Sequence, residues 1–117
     1  MPYIDAFVIP VPKKNVTAYQ KLARKAAKVF RQHGALEVWE YVGDALDSKF
    51  GLPFPKLAKL KKGETVIFSW IVFKSKAHRD KVNAKVMKDP LMDMDMSQLP
   101  FDVKRMSVGG FKLLVAG

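Results

Sequence analysis

Two histidines are the side chains of this sequence best suited to proton transfer. His78 lies in the run Ala77-His78-Arg79-Asp80, three residues after Ser75, and His33 directly precedes Gly34. Because an imidazole gains or loses its proton near neutral pH, His78 is a candidate catalytic residue. The alternatives are structural: His78 would be an exposed residue in the first turn of a helix, and His33 would stabilise the negative end of a helix dipole.

A carboxylate and two cations form a second candidate site near the end of the chain. Asp102, Lys104 and Arg105 stand before a predicted strand that contains Gly109 and Gly110. The functional interpretation has Arg105 holding an anionic or carbonyl group beside an apolar cavity, with Asp102 as a further candidate catalytic residue. The structural interpretation is a salt-bridged turn, followed by a glycine bulge or a close approach of another group.

No metal or cofactor site is predicted. The chain has no cysteine, and its two histidines do not have the His-Glu-x-x-His spacing of zinc proteases. The run Asp93–Ser97 resembles the start of a calcium loop, but Gln98 and Lys104 stand where that loop needs glycine and glutamate. Several methionines of this region instead predict adaptable apolar packing. They are Met87, Met92, Met94, Met96 and Met106.

The element that must position any such site is the run Glu64–Lys74, which has the period of a strand and is apolar on both faces. One face carries Val66, Phe68, Trp70 and Val72. The other carries Ile67, Ile71 and Phe73, with Ser69 as its polar member. Because both faces of this strand must be covered, helices are expected on one face and a partner or ligand on the other.

The remaining pattern predicts three more strands and two main helices. A long amphipathic helix begins after Asn15 and ends before Gly34, and a second begins after Ser75 and ends at Asp89-Pro90. A short helix is expected over Leu91–Leu99, and a helical turn near Pro55–Leu60 inside an irregular 43–63 loop. The other predicted strands are Tyr3–Val11, Ala35–Val42 and Arg105–Val115.

The order β-α-β-β-α-β predicts an α+β fold: a ferredoxin-like antiparallel sheet with both helices on one face, in a single domain over residues 1–117. An aromatic set is then expected to line a ligand pocket or an interface on the sheet. Its members are Trp39, Tyr41, Phe68, Trp70 and Phe73. A contiguous apolar surface of this size marks an interface or a binding groove.

Three occupants would fit this surface: a second subunit, a single-stranded nucleic acid and a small apolar ligand. A second subunit would bury about 1,500 Å² or more in total. RNA-binding domains of the same topology carry glycines and an entering basic residue in the third strand, which this strand lacks. A sheet-to-sheet homodimer is therefore favoured, and nucleic acid on this surface is not.

The formal net charge of +10 indicates a possible attraction to acidic partners. Much of it lies on the outward face of the first helix, in a basic face made of Lys21, Arg24, Lys25, Lys28 and Arg31. The alternative is a solvated surface without a partner. The chain has no apolar run long enough for a membrane span and no signal-peptide pattern, so a cytoplasmic protein without a membrane partner is expected.

Several long runs resemble the DUF1428 (YbaA-like) family of bacterial proteins over essentially the whole chain. They include 33–37, 66–80, 83–87, 100–106 and 109–111. The resemblance implies the dimeric α/β-barrel superfamily, which includes cofactor-free monooxygenases, haem-degrading enzymes and stress-response proteins. In a haem-binding relative, His78 would be an axial ligand. Val103 stands where the family commonly has glycine, so a left-handed turn there would be strained.

Two functional hypotheses follow. In the first, a dimeric barrel binds a small apolar or aromatic ligand and turns it over without a dedicated cofactor, as an oxygenase-like enzyme would. In the second, the protein is a non-enzymatic binding or assembly module whose basic helix face contacts nucleic acid or acidic partners.

Overall fold

The computed structural model describes residues 2–117 and contains a four-stranded sheet with two long helices. The strands are β1 (Tyr3–Pro12), β2 (Glu37–Val42), β3 (Glu64–Phe73) and β4 (Ser107–Lys112). The helices are α1 (Val16–Gln32), the single turn α2 (Phe54–Leu57) and α3 (Lys76–Lys88). Single 3₁₀ turns lie at Lys13–Asn15, Pro90–Met92, Met96–Gln98 and Val103–Arg105. Within residues 2–117, no helix is both long and apolar enough to cross a membrane.

The strands are ordered β2-β3-β1-β4, and every neighbouring pair is antiparallel. Strands β1 and β3 pair over ten consecutive residues, from Tyr3 opposite Phe73 to Pro12 opposite Glu64. Helices α1 and α3 both pack on the same face of the sheet. The predicted α+β, ferredoxin-like arrangement is therefore confirmed.

The two faces of β3 differ in what covers them. Ile71 and Phe73 are buried against the helices, with Val29 of α1 and Val82 of α3. A second core cluster lies under the first half of α1 and contains Ile9, Val11, Tyr19, Ala23 and Ile67. Each fully buried aliphatic or aromatic side chain stabilises the fold by about 1.5 to 3 kcal/mol. We refer to the uncovered side of the sheet as the open face.

The two ends of α1 are fixed by different contacts. Asn15 occupies the residue before the helix as expected, but its side-chain amide donates to the carbonyl of Pro100 at 3.0 Å instead of capping α1. After the helix, Gly34 has a φ of 114°, a conformation that other residues rarely adopt. His33 Nε2 lies 2.7 Å from Asp89 Oδ2 and joins the end of α1 to the end of α3.

Strand β1 is also tied to α3 by buried polar contacts. Asp5 is 6% exposed and accepts a hydrogen bond from Asn83 at 3.2 Å, with Arg79 Nη1 at 3.6 Å. The Arg79 guanidinium lies over the Tyr3 ring, 5.0 Å from its centre, and donates to its hydroxyl. A Cβ at Gly110 would collide with this ring, so Gly110 permits a close approach of Tyr3, and β4 pairs with β1 without a bulge.

Two predicted elements are shorter than the sequence pattern suggests. The expected helix over Leu91–Leu99 is two separate 3₁₀ turns, each begun by an aspartate side chain that accepts a backbone N–H. The last strand begins at Ser107, because Val103–Arg105 forms a 3₁₀ turn capped by Asp102. Val103 has a negative φ, so the strain predicted for valine at this position is absent.

Residues 43–63 leave the sheet and return at the start of β3, where one arginine holds them. Arg105 donates to both carboxylate oxygens of Glu64, at 2.6 and 2.9 Å, and to the carbonyl of Lys59 at 2.8 Å. Lys59 is the one non-glycine residue within 2–117 that has a positive φ, at 51°. The hydrogen bonds from Arg105 are the main cause that lowers the pKa of Glu64 from 4.5 to about 2.

We expect Glu64→Gln to lower the free energy of unfolding at neutral pH by about 1 to 2 kcal/mol, allowing for partial exposure of Arg105. Because the folded-state pKa is depressed, the wild-type contribution is present above pH 4.5 and is lost as the pH falls towards 2. Urea unfolding of both proteins between pH 7 and pH 2 measures this difference. The exposed carboxylate Asp47 provides the control Asp47→Asn. A difference between wild type and Glu64→Gln that does not shrink on acidification would contradict the assignment.

Candidate functional site

Four aromatic side chains of β2 and β3 lie together on the open face, and we call this surface the aromatic face. Trp39 is opposite Trp70 in the sheet register, and Tyr41 is opposite Phe68. The Tyr41 and Trp70 rings stack with their centres 5.2 Å apart, and Phe68 meets Trp70 edge to face at 5.8 Å. Trp39 and Tyr41 remain 43% and 53% exposed. Within residues 2–117, the chain leaves this surface largely uncovered.

Phe73 does not belong to the aromatic face, contrary to the predicted pocket set. It lies on the same side of β3 as Ile71, is fully buried, and packs against Val82 of α3. The other four predicted members lie on the aromatic face. Phe54 of α2 lies beside them, with its ring centre 6.2 Å from that of Phe68.

His78 is held by local contacts. Its Nδ1 accepts the backbone N–H of Lys74 at 3.0 Å, and its own N–H donates to the Ser75 hydroxyl that begins α3. The imidazole meets Phe73 edge to face, with ring centres 6.0 Å apart. These contacts suit a structural role in the first turn of α3, but His78 is half-buried against Phe73 and not exposed as the structural interpretation predicted.

Arg105 and Asp102 are likewise engaged in structural contacts. The Arg105 guanidinium binds Glu64 and the Lys59 carbonyl, and Asp102 accepts the backbone N–H of Lys104 at 3.0 Å. The turn is present at Val103–Arg105, but Arg105 forms its ion pair with Glu64 of β3 instead of with Asp102. Within residues 2–117, the hydrogen bonds of His78, Asp102 and Arg105 do not reach the aromatic face. These three candidates therefore do not form one site with it.

A hollow lies on the other side of the sheet, between α1, the strands and the segment 92–106. An inner hollow of about 210 Å³ is lined mainly by apolar side chains of α1 and the sheet. Met92, Met94 and Met106 also line it, whereas Met87 and Met96 are exposed elsewhere. An outer groove of about 410 Å³ adjoins it between α1 and β2. We call the two together the α1 cleft.

A tyrosine–glutamate pair lies where the two parts of the α1 cleft meet. The Tyr19 hydroxyl donates to Glu40 Oε1 at 2.7 Å, and both residues line the inner hollow and the outer groove. Ser69 is buried, lies opposite Glu40 in the register, and lines the inner hollow beside the pair. Desolvation is the main cause that raises the pKa of Glu40. The pKa of Tyr19 is raised by desolvation and by the adjacent Glu40 carboxylate.

The sequence analysis missed Glu40, although a signal was present. Glu40 alternates with Trp39 and Tyr41 and therefore shares its side of β2 with Val38 and Val42. A carboxylate between two valines on the strand face that packs on a helix is unusual, although Glu40 itself stays exposed at the edge of the sheet. Tyr19 lies on the buried side of α1, and its hydroxyl donates to the carboxylate.

Chemically, the cleft offers apolar walls and a single carboxylate with acceptor capacity. An ionised carboxylate has two oxygens that can each accept more than one hydrogen bond, and Tyr19 donates to Oε1. Within residues 2–117, no group of three or more metal-ligating side chains converges. The arrangement therefore suits an organic molecule that has a polar group at one end.

The comparisons with known proteins agree with one another on the family. The profile described as "Protein of unknown function (DUF1428)" matches residues 2–103. The uncharacterized protein YbaA of Escherichia coli strain K12 is 41% identical over 116 residues, which cover 98% of each chain. YbaA of Shigella flexneri shows the same identity and coverage.

Among solved structures, the de novo designed protein Foldit4 aligns with a TM-score of 0.48 and 10% identity, over 97% of this chain and 100% of its own. That score is too low to support an argument about function. The family profile and the identity with YbaA both extend over most of the sequence, and on these two grounds the chain belongs to the DUF1428 family of proteins of unknown function.

Proposed function

We propose that the protein is a homodimer that binds a small, mainly apolar ligand in the α1 cleft. The observation that carries this proposal is the apolar inner hollow of about 210 Å³ beside the Tyr19–Glu40 pair. Binding sites for small molecules are typically concave, mostly apolar and equipped with a few polar groups that orient the ligand. The volume of the inner hollow lies below the roughly 300 to 1,000 Å³ of sites for drug-sized molecules, so a ligand held there is small.

The lining of the hollow supports this use. Its floor is formed by Phe7 and Ile71 of the sheet, and the small side chains of Ala23 and Ala26 leave space on the α1 side. Met92 and Met94 close another side with flexible thioether chains that can adjust to ligands of different shape. Cofactor-free turnover of the ligand stays a prediction.

The proposed dimer uses the aromatic face. Trp39, Tyr41 and Phe68 are 39% to 53% exposed on one side of the sheet, an exposure that costs free energy in water. Phe111 of β4 lies on the same side and is 56% exposed. A second copy would cover these side chains through a two-fold interface, in which the same surface of each subunit meets the other.

This proposal separates two roles that the sequence analysis assigned to one surface. The aromatic face would contact the second copy, and the ligand would bind on the opposite side of the same sheet. Strand β2 contributes to both surfaces, because Trp39 and Tyr41 point to one side while Val38 and Glu40 point to the other.

We expect Tyr41→Glu to dissociate the dimer, because the interface would then bury two uncompensated carboxylates. Light scattering after size-exclusion chromatography should give the mass of two chains for the wild type and one chain for the variant. Met87→Glu is the matched control, since Met87 is 84% exposed on α3, away from the open face. A wild-type protein with the mass of one chain at micromolar concentration would refute the dimer.

We expect Ala26→Phe to abolish ligand binding, because the added ring fills the inner hollow. Phenol and anisole are suitable probes, and amide chemical-shift changes report their binding. Saturable shifts should appear at cleft residues of the wild type and disappear in the variant. Ala84→Phe, on the exposed side of α3, should bind as the wild type does. Absence of saturable shifts for both probes in the wild type would refute the ligand-binding proposal.

A second candidate function rests on the charge of the helix layer. All five cations of the basic face of α1 are exposed to solvent. Helix α3 adds four exposed lysines on the same side of the sheet: Lys76, Lys81, Lys85 and Lys88. The ion pairs found within residues 2–117 include none of these nine side chains. This layer suits a nucleic-acid backbone, which neutralises many cations at once.

We expect Lys21→Gln, Lys28→Gln and Arg31→Gln together to weaken binding to single-stranded RNA and to reduce its salt dependence. Fluorescence anisotropy with a labelled oligonucleotide at several salt concentrations measures both. The control removes three lysines of the 43–63 loop, Lys56, Lys61 and Lys62, with the same change in net charge. Equal loss of affinity in both triple variants would mean that the helix layer has no specific role.

A further inference from the structure

We infer that the α1 cleft selects a neutral ligand with a hydroxyl or N–H donor, and that the Glu40 carboxyl receives this donor. The inference rests on the proposed ligand-binding function and adds the chemical class of the ligand. It assigns Glu40 the role of a specificity-determining residue, with Tyr19 as the group that positions it.

The position of Glu40 supports this role. Its side chain projects from the edge strand β2 between Val38 and Val42, towards α1, and borders both parts of the cleft. The Tyr19 hydroxyl donates to Oε1 and holds the carboxyl at the junction. A molecule in the inner hollow would therefore meet this carboxyl as it meets the edge of β2.

The balance of hydrogen-bonding groups favours a ligand that donates. A carboxylate is an acceptor only, and the Tyr19 hydroxyl beside it is already directed at Glu40, which leaves the buried Ser69 hydroxyl as a further side-chain donor in the lining. A ligand with only acceptor atoms would leave its polar group facing the carboxylate oxygens, and this costs free energy. Replacing the donor hydrogen of the ligand's hydroxyl or N–H group by a methyl group should therefore weaken binding.

The charge of the protein favours a neutral donor over a cation. The net charge is +10, and Arg24 borders the outer groove beside Glu40. An ammonium ligand would have to approach through this positive field. An anionic ligand would be attracted by the field but repelled by the carboxylate itself. The ion pairs found within residues 2–117 do not include Glu40, so the carboxyl has no cationic partner there.

The test compares phenol with its methyl ether anisole and with benzylamine, which is cationic at neutral pH. Each is titrated into the wild-type protein, and the dissociation constant is taken from amide chemical shifts. Phenol should bind about tenfold or more tightly than anisole, the expected effect of a hydrogen bond to a charged group. Benzylamine should bind more weakly than phenol.

Glu40→Gln should remove the preference for phenol over anisole, because the amide offers a donor of its own to the ether oxygen. The amide oxygen can still accept from Tyr19, so the fold is expected to persist. Glu37→Gln is the matched control: Glu37 lies on the same strand but on the open face, where its carboxylate accepts from Trp39. Tyr19→Phe should leave a smaller preference for phenol, since Glu40 remains but loses the hydroxyl that positions it.

Three outcomes would overturn the inference while leaving the ligand-binding proposal intact. The first is equal affinity of the wild type for phenol and anisole, and the second is an unchanged preference in Glu40→Gln. The third is tighter binding of benzylamine than of phenol, which would replace the neutral ligand with a cation. If none of the three probes binds the wild type at the cleft, both the inference and the proposed function fail.

Discussion

The structure depends on the pairing of β3 with β1 in the middle of the sheet. Ten residue pairs fix this register, and a shift by one residue would exchange every inward side chain of β3 with an outward one. The register directs Ile71 and Phe73 to the helices and leaves Phe68 and Trp70 on the open face. Both proposed surfaces therefore follow from one set of backbone hydrogen bonds, with the cleft on one side of the sheet and the aromatic face on the other.

The local periodicity of the sequence was sufficient for the elements and their order, because α1 and β3 are long and strongly patterned. Periodicity alone groups Phe73 with Ile71, but it does not say which group meets the helices, since that is decided by tertiary packing. The pocket set therefore included Phe73 wrongly. The ends of short elements were also misplaced at the 3₁₀ turn before β4, where Asp102 satisfies a backbone N–H and delays the strand.

The candidate site was harder to predict because its polar pairs are distant in the sequence. Arg105 was assigned to a cluster with Asp102, three residues away, yet it binds Glu64, from which 41 positions separate it. Asp102 is engaged with the backbone of its own turn, whereas Glu64 presents two oxygens that match the guanidinium fork. Tyr19 and Glu40 are separated by 21 positions, and only the packing of α1 on β2 brings them together.

Glu40 is a charged residue on a side of β2 that is otherwise apolar. Its neighbours on that side of β2 are Val38 and Val42, and an apolar residue between them would avoid the desolvation that raises its pKa. The hydrogen bond from Tyr19 offsets this cost only in part, because a carboxylate can accept several donors. Because Glu40 stays exposed at the edge of β2, water supplies its remaining donors in the free protein, and a ligand with its own hydroxyl or N–H group would take the place of that water.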